Sequence, residues 1–354
     1  MLTKQSYEAF NYFSPQLKQM NQKIPNLKKL WTYFETIKPQ YEIKTVRDES
    51  KTPTLESLAD QQFIDEHLKK DILLLNTYKE VIIKTDQYTF HLKFYYDKND
   101  NLDNLIEALA YGLSFTVLLA PHKVKNITIC YYLLDVKRVL DGDTFFDKEE
   151  VNGGACWSSP TDCDITVWRK EEILKVSIHE LIHGLSYDYK QDTSEIVQHY
   201  QAKYGITSPK MNTFEAYTEI FAELIHCYLL ARFIYVLHKK RNCYYLFHGF
   251  VSTEILFSHL QSSKVLSLLE LNKDVNKETN VTAYYLIKTE LYNDLNKFLE
   301  FCIKYNENKI KLKDASKYLD YLKGLQLVVN KKHNKLSEYL TNTTRMTCLE
   351  IELF

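Results

Sequence analysis

Apolar positions along this chain follow two different rhythms, and the change between them sets its organisation. Residues 1–45 carry Leu, Tyr and Phe between lysines at helical spacing, which predicts an amphipathic helical start. The polar run at 47–54 reads as a linker or exposed loop, and a short helix is expected over 56–75. Residues 80–97 switch to alternation rich in β-branched and aromatic side chains, interrupted at Asp86-Gln87, as in a β-hairpin. A mostly buried helix is expected over 101–120 and a buried strand over 126–134. Residues 141–164 concentrate Gly142, Gly153, Gly154 and Pro160, so a long loop is expected there, of the kind that tends to carry function. A strand over 164–169 and a helix over 170–187 follow, and the chain then reads as mostly helical to about residue 327.

Strands first and helices afterwards predict an α+β fold: a small mixed or antiparallel sheet followed by a mainly helical half. The expected organisation is a helical region 1–79 with no readable chemistry, then a region 80–354 with a sheet-containing half 80–187 and a helical half 188–354. Only 8 glycines and 7 prolines in 354 residues agree with long helices. Hydrophobic residues at 45% and charged residues at 26% supply a real core. A formal net charge of −1 gives no reason to expect nucleic acid or an anionic membrane as partner.

The 7 cysteines include no C-x-x-C spacing, which favours free thiols in a reducing, intracellular setting over a disulfide framework. Cys156 and Cys163 are near enough in sequence to pair, but free thiols are the simpler reading. The first residues lack the apolar core of a signal peptide. The apolar stretch 221–237 carries Glu223, His226 and Arg232, so no transmembrane segment is expected.

One motif carries chemistry. His179-Glu180-Leu181-Ile182-His183 fits H-E-x-x-H inside an apolar helical segment. Residues four apart share a helix face, so both imidazoles can reach one zinc ion, with Glu180 beside them as the base for an attacking water. The competing reading is a helix with two partly exposed histidines. A second pattern weighs against it. Glu215, Glu219 and Glu223 form a stripe at four-residue spacing on a segment otherwise apolar nearly all round. Buried carboxylates need a cation or a metal as partner. A solvated acidic face is the competing reading for that stripe.

H-E-x-x-H followed by a downstream helical glutamate resembles the gluzincins, the thermolysin-like and neprilysin-like zinc peptidases. Their glutamate helix reads roughly N-E-x-x-A-D, matched here by Thr218-Glu219-Ile220-Phe221-Ala222-Glu223. The resemblance implies a zincin-like catalytic region, with Glu219 as third zinc ligand and Glu223 supporting a zinc-bound histidine from behind. Thr218 and Glu223 depart from the family's Asn and Asp, which keeps Glu215 as an alternative ligand or supporting residue. Residues 151–159 resemble the family's V-N-A-F-Y loop, implying that Asn152 binds an extended peptide backbone, although Gly153-Gly154 replace the Ala-aromatic pair. The family uses a His or Tyr to stabilise the oxyanion, and His248, Tyr284 and Tyr285 are the candidates; a tyrosine in such a segment is more often a core residue than a catalyst. A metzincin would place Gly and His where Ser186 and Tyr189 stand. The segments 169–185 and 282–288 also resemble zinc-peptidase-like proteins of large DNA viruses. The expected activity is zinc-dependent hydrolysis of peptide bonds in a peptide or protein substrate, endopeptidase before carboxypeptidase. The alternative is a non-catalytic virion or scaffold protein that keeps such a fold with a structural zinc.

Overall fold

Alternation in residues 80–97 takes the form of two antiparallel strands in a computed structural model that describes residues 1–19, 24–59, 61–140, 146–238, 243–271, 275–329, 333 and 335–354. In chain order the elements begin α1 Lys4–Gln19, α2 Pro25–Phe34, β1 Glu42–Ser50, α3 Leu55–Leu58, α4 Glu66–Ile72, β2 Thr77–Lys84, β3 Thr89–Tyr96, α5 Asp103–Val117 and β4 Asn126–Tyr132. They continue α6 Lys148–Val151, β5 Gly154–Ser158, β6 Asp162–Val167, α7 Ile173–Gly184, α8 Ser194–Tyr204, α9 Phe214–His238 and α10 Cys243–Glu270. A π-helical stretch Thr282–Ile287 runs into α11 Lys288–Asn293, followed by α12 Leu295–Tyr305, α13 Ala315–Lys323 and α14 Glu338–Asn342. The chain is α+β, and it divides into two units.

The first unit comprises Ile37–Arg138, Asn152–Tyr187 and the last two residues. Its six-stranded sheet has the order β1-β2-β3-β4-β6-β5. The β3–β4 and β4–β6 pairs are parallel and the rest antiparallel, so the sheet is mixed. The β2–β3 turn is closed by Thr85, whose hydroxyl accepts from the Tyr88 backbone N–H at 2.9 Å. β3 alternates strictly, burying Phe90, Leu92, Phe94 and Tyr96. Adjacent side chains on β4 point to opposite faces of the sheet. Tyr131 stacks on Phe94 at 4.8 Å and meets the Ser177 hydroxyl of α7 at 3.1 Å. Tyr132 joins Leu58 of α3, Leu68 and Ile72 of α4, and Trp168 in a second apolar cluster. The sheet is thus covered by α7 on one face and by α3 and α4 on the other.

Two expectations need correction here. Residues 42–50, read as the end of a helix and the start of a linker, form strand β1, exposed along nearly its whole length. The expected loop 141–164 contains α6 and β5; its residues 141–145 lie outside the described residues.

The second unit comprises Met1–Thr36, Val139–Val151 and Asp188–Glu352. Its centre is α9, whose residues 216–231 are all buried. The stretch Phe214–Leu237 has the length and composition of a membrane span, and 72% of its most apolar window is buried inside the protein. Burial of that kind equally fits a core helix. Trp31 and Phe34 of α2 pack on Tyr228 of α9 at 5.1 Å each. The C-terminal segment is held by Glu254 of α10, whose carboxylate accepts from the backbone N–H groups of Cys348 and Leu349, both at 3.0 Å, and from the Thr347 hydroxyl.

Candidate metal centre

Helix α7 starts from an unusual backbone. Glu172 precedes its first turn at φ 58°, a left-handed conformation that a non-glycine residue adopts only when its surroundings hold it. A buried ion pair with the Arg138 guanidinium does so, and the Arg138 backbone N–H donates to Glu171 at 2.7 Å. The helix then runs wholly buried through its twelve residues.

His179 and His183, one helical turn apart, converge as the motif requires. Their Nε2 atoms are 3.1 Å apart, with ring planes inclined at 76°. Such a contact holds one proton between the rings or one cation between two lone pairs; two imidazolium rings would repel. Two nitrogens about 2.05 Å from a tetrahedral zinc ion stand about 3.3 Å apart, so the spacing fits a shared metal. Glu180 is buried on the same helix.

Gly154 is explained by this helix. A Cβ on Gly154 would stand 2.7 Å from Val176 Cγ1 and 2.8 Å from both Cγ and Oε1 of Glu180. Strand β5 therefore lies against the Glu180 side chain at a distance only glycine permits. Gly153 is equally crowded by the Arg138 guanidinium, 2.3 Å from its virtual Cβ. Asn152, just before them, is half-buried, and its carbonyl accepts from Arg169 Nε at 3.0 Å.

The acidic stripe on α9 is buried at two of its three positions. Glu219 is 0% and Glu223 1% exposed, while Glu215 is half-buried. Their partners lie on a second stripe with the same four-residue spacing: Tyr284, Lys288 and Tyr292. The Tyr284 hydroxyl donates to Glu215 Oε2 at 3.1 Å. Lys288 Nζ donates to Glu223 and stands 3.9 Å from Glu219 Oε1. The Tyr292 hydroxyl donates to Glu223 Oε2 at 2.5 Å. Burial pushes the Lys288 ammonium down, but Glu223 and Glu219 outweigh that and hold it above its ordinary value. Burial also pushes the Tyr292 hydroxyl far up, as do the neighbouring carboxylates, so it remains a donor. Sequence reasoning missed Lys288 and Tyr292. The spacing of 284, 288 and 292 was the available signal.

The remaining candidates separate. The Tyr285 hydroxyl is taken by the Thr344 carbonyl and its ring is buried, as for a core residue. His248 lies on α10 with its ring 6.1 Å from that of Tyr244.

The chain is similar to "Uncharacterized protein R210" of Acanthamoeba polyphaga mimivirus, 23% identical over 257 residues. The matched stretch covers 63% of this chain and 65% of the relative, so the chain spans just under two thirds of that protein's length. No protein-family model matches the chain, and no solved structure matches it.

Proposed function

We propose that this chain is a zinc-dependent peptidase in which His179 and His183 bind a single zinc ion and a glutamate of the α9 stripe is the third ligand. The observation that carries the reading is the 3.1 Å approach of the two imidazole nitrogens on a buried helix that also bears Glu180. Glu215 replaces Glu219 as third ligand in this reading because Lys288 already compensates Glu219 and Glu223. Tyr284 then orients the Glu215 carboxylate through its hydroxyl. Bound zinc would lower the pKa of a water molecule and polarise the scissile carbonyl. Glu180 accepts the proton of the attacking water and delivers it to the leaving amine. Gly154 leaves room for that carboxylate to stand against β5.

The test is zinc content together with hydrolysis. Purified protein should carry one zinc per chain, lost in H179A and H183A and weakened in E215Q more than in E219Q. A mixture of unfolded polypeptides should be cleaved by the wild type. E180Q should retain zinc and lose cleavage by at least about a hundredfold, the scale of a missing general base. Zinc-free protein, or undiminished cleavage by E180Q, refutes the proposal. Zinc at full occupancy with no cleavage would instead favour a structural ion in a non-catalytic protein.

A further inference from the structure

Two thiols lie on the face of the β5–β6 pair that α7 covers. Cys156 stands opposite Ile165 and Cys163 opposite Ser158 in the antiparallel register, which puts the cysteines on one face as diagonal neighbours. Their sulfurs are 3.6 Å apart. Both sit beneath the C-terminal end of α7: a Cβ on Gly184 would be 2.2 Å from the sulfur of Cys163 and 3.4 Å from that of Cys156. Cys163 is 1% exposed, whereas Cys156 is half-buried on the sheet's terminal strand.

We propose that Cys156 and Cys163 form a reversible redox pair, with Cys156 the attacking thiol and Cys163 the resolving one, and hydrogen peroxide as oxidant. Access decides the order, because the oxidant reaches the half-buried sulfur first. The sulfur of Cys156 attacks a peroxide oxygen, the O–O bond breaks, a sulfenic acid forms and one water leaves. The sulfur of Cys163 then attacks that of Cys156. The S–O bond breaks, the S–S bond forms, and a second water carries away the hydroxyl group and the thiol proton. Two electrons pass from the sulfur pair to the peroxide. Forming the bond closes the sulfurs from 3.6 Å to about 2.05 Å, a short movement between diagonal neighbours on one face of the strand pair. Gly184 directly follows His183, so the crosslink forms against the helical turn that carries the imidazole pair and fastens β5 to β6. The inference stands on the sulfur geometry alone and does not depend on the peptidase reading.

Hydrogen peroxide added to the full chain, followed by thiol titration in denaturant, tests it. Free thiols should fall from seven to five and return to seven with dithiothreitol. Digestion should yield one crosslinked species joining the peptides of Cys156 and Cys163, lighter by two hydrogens. C163S should accumulate a sulfenic acid at Cys156 that dimedone traps, and C156S should keep its buried Cys163 unmodified. A crosslink between other cysteines, oxidation of Cys156 to the sulfinic acid without any crosslink, no thiol loss, or no dimedone adduct in C163S overturns the proposal.

Discussion

Replacing Lys288 by Met tests the buried charge ladder most directly. The ammonium is 1% exposed, its two carboxylate partners are fully inside, and no solvent screening softens the change. At 3.9 Å and an effective dielectric of about 20, one Lys288–Glu219 pairing is worth about 4 kcal/mol before desolvation. The Glu223 contact is shorter. Removing one partner of a buried pair costs about 3–5 kcal/mol, because the remaining charge stays buried and unmatched. K288M should therefore lose about 3–5 kcal/mol of unfolding free energy in urea titrations followed by circular dichroism at neutral pH. The loss should depend on pH. Without the ammonium, Glu219 and Glu223 repel each other and one takes up a proton, so the gap from wild type should narrow as pH falls from about 8 to about 5. Wild-type Lys288 does not generate such a slope. Its folded pKa is raised, so its contribution is complete below the ordinary lysine value and is lost only as pH rises through the folded one. K288M within about 1 kcal/mol of wild type, or a gap equal at both pH values, would show that the ladder does not hold these charges as described.

Three further variants probe the packing. G154A forces a methyl to within 2.8 Å of the Glu180 carboxylate, and should lower any cleavage at least tenfold while zinc content holds, measured on the same preparation. G184A drives its Cβ to 2.2 Å from the Cys163 sulfur and should cost about 1–3 kcal/mol in thermal or urea unfolding, with more than half regained in G184A/C163A. E254Q replaces an acceptor of three hydrogen bonds by a group with one acceptor oxygen, and should cost about 2 kcal/mol and speed amide exchange at Cys348 and Leu349. Burial raises the Glu254 pKa despite its donors, so the folded state holds that proton more tightly and wild-type stability should fall as pH rises through the interval above the ordinary carboxylate value. The E254Q variant should lack that slope.

The strands that sequence reasoning located are those whose side chains carry the pattern. β3 alternates because one of its faces is the more deeply buried, and β4 buries Ile127, Ile129 and Tyr131 on one face and Tyr132 on the other. β1 lacks such a pattern. Its EIKTVRDES is exposed almost throughout, and it becomes a strand by pairing backbone with β2 over Glu42–Ser50, with a shift between Thr45 and Arg47. Backbone pairing leaves little trace in residue type, so a charged edge strand reads as a linker. β5 hid for a related reason. Its five residues begin with a glycine that Glu180 and Val176 require, and glycine in sequence signals a turn before it signals close approach.

The H-E-x-x-H pair was legible because both residues lie on one helix, where spacing alone sets proximity. The assignment of carboxylates on α9 was not, because it depends on a cation 65 residues from Glu223. Apolarity all round α9 implied that the three glutamates needed partners, but it could not say whether a metal or a side chain would supply the charge. Lys288 answers for Glu219 and Glu223, and the Tyr284 hydroxyl donates to Glu215. The two stripes run in step, 215 with 284 and 223 with 292. A stripe of acids at four-residue spacing therefore means little until a second stripe at the same spacing is sought elsewhere in the chain. Where the second stripe holds a lysine, that lysine answers the acids it reaches, and no metal is needed to account for their burial.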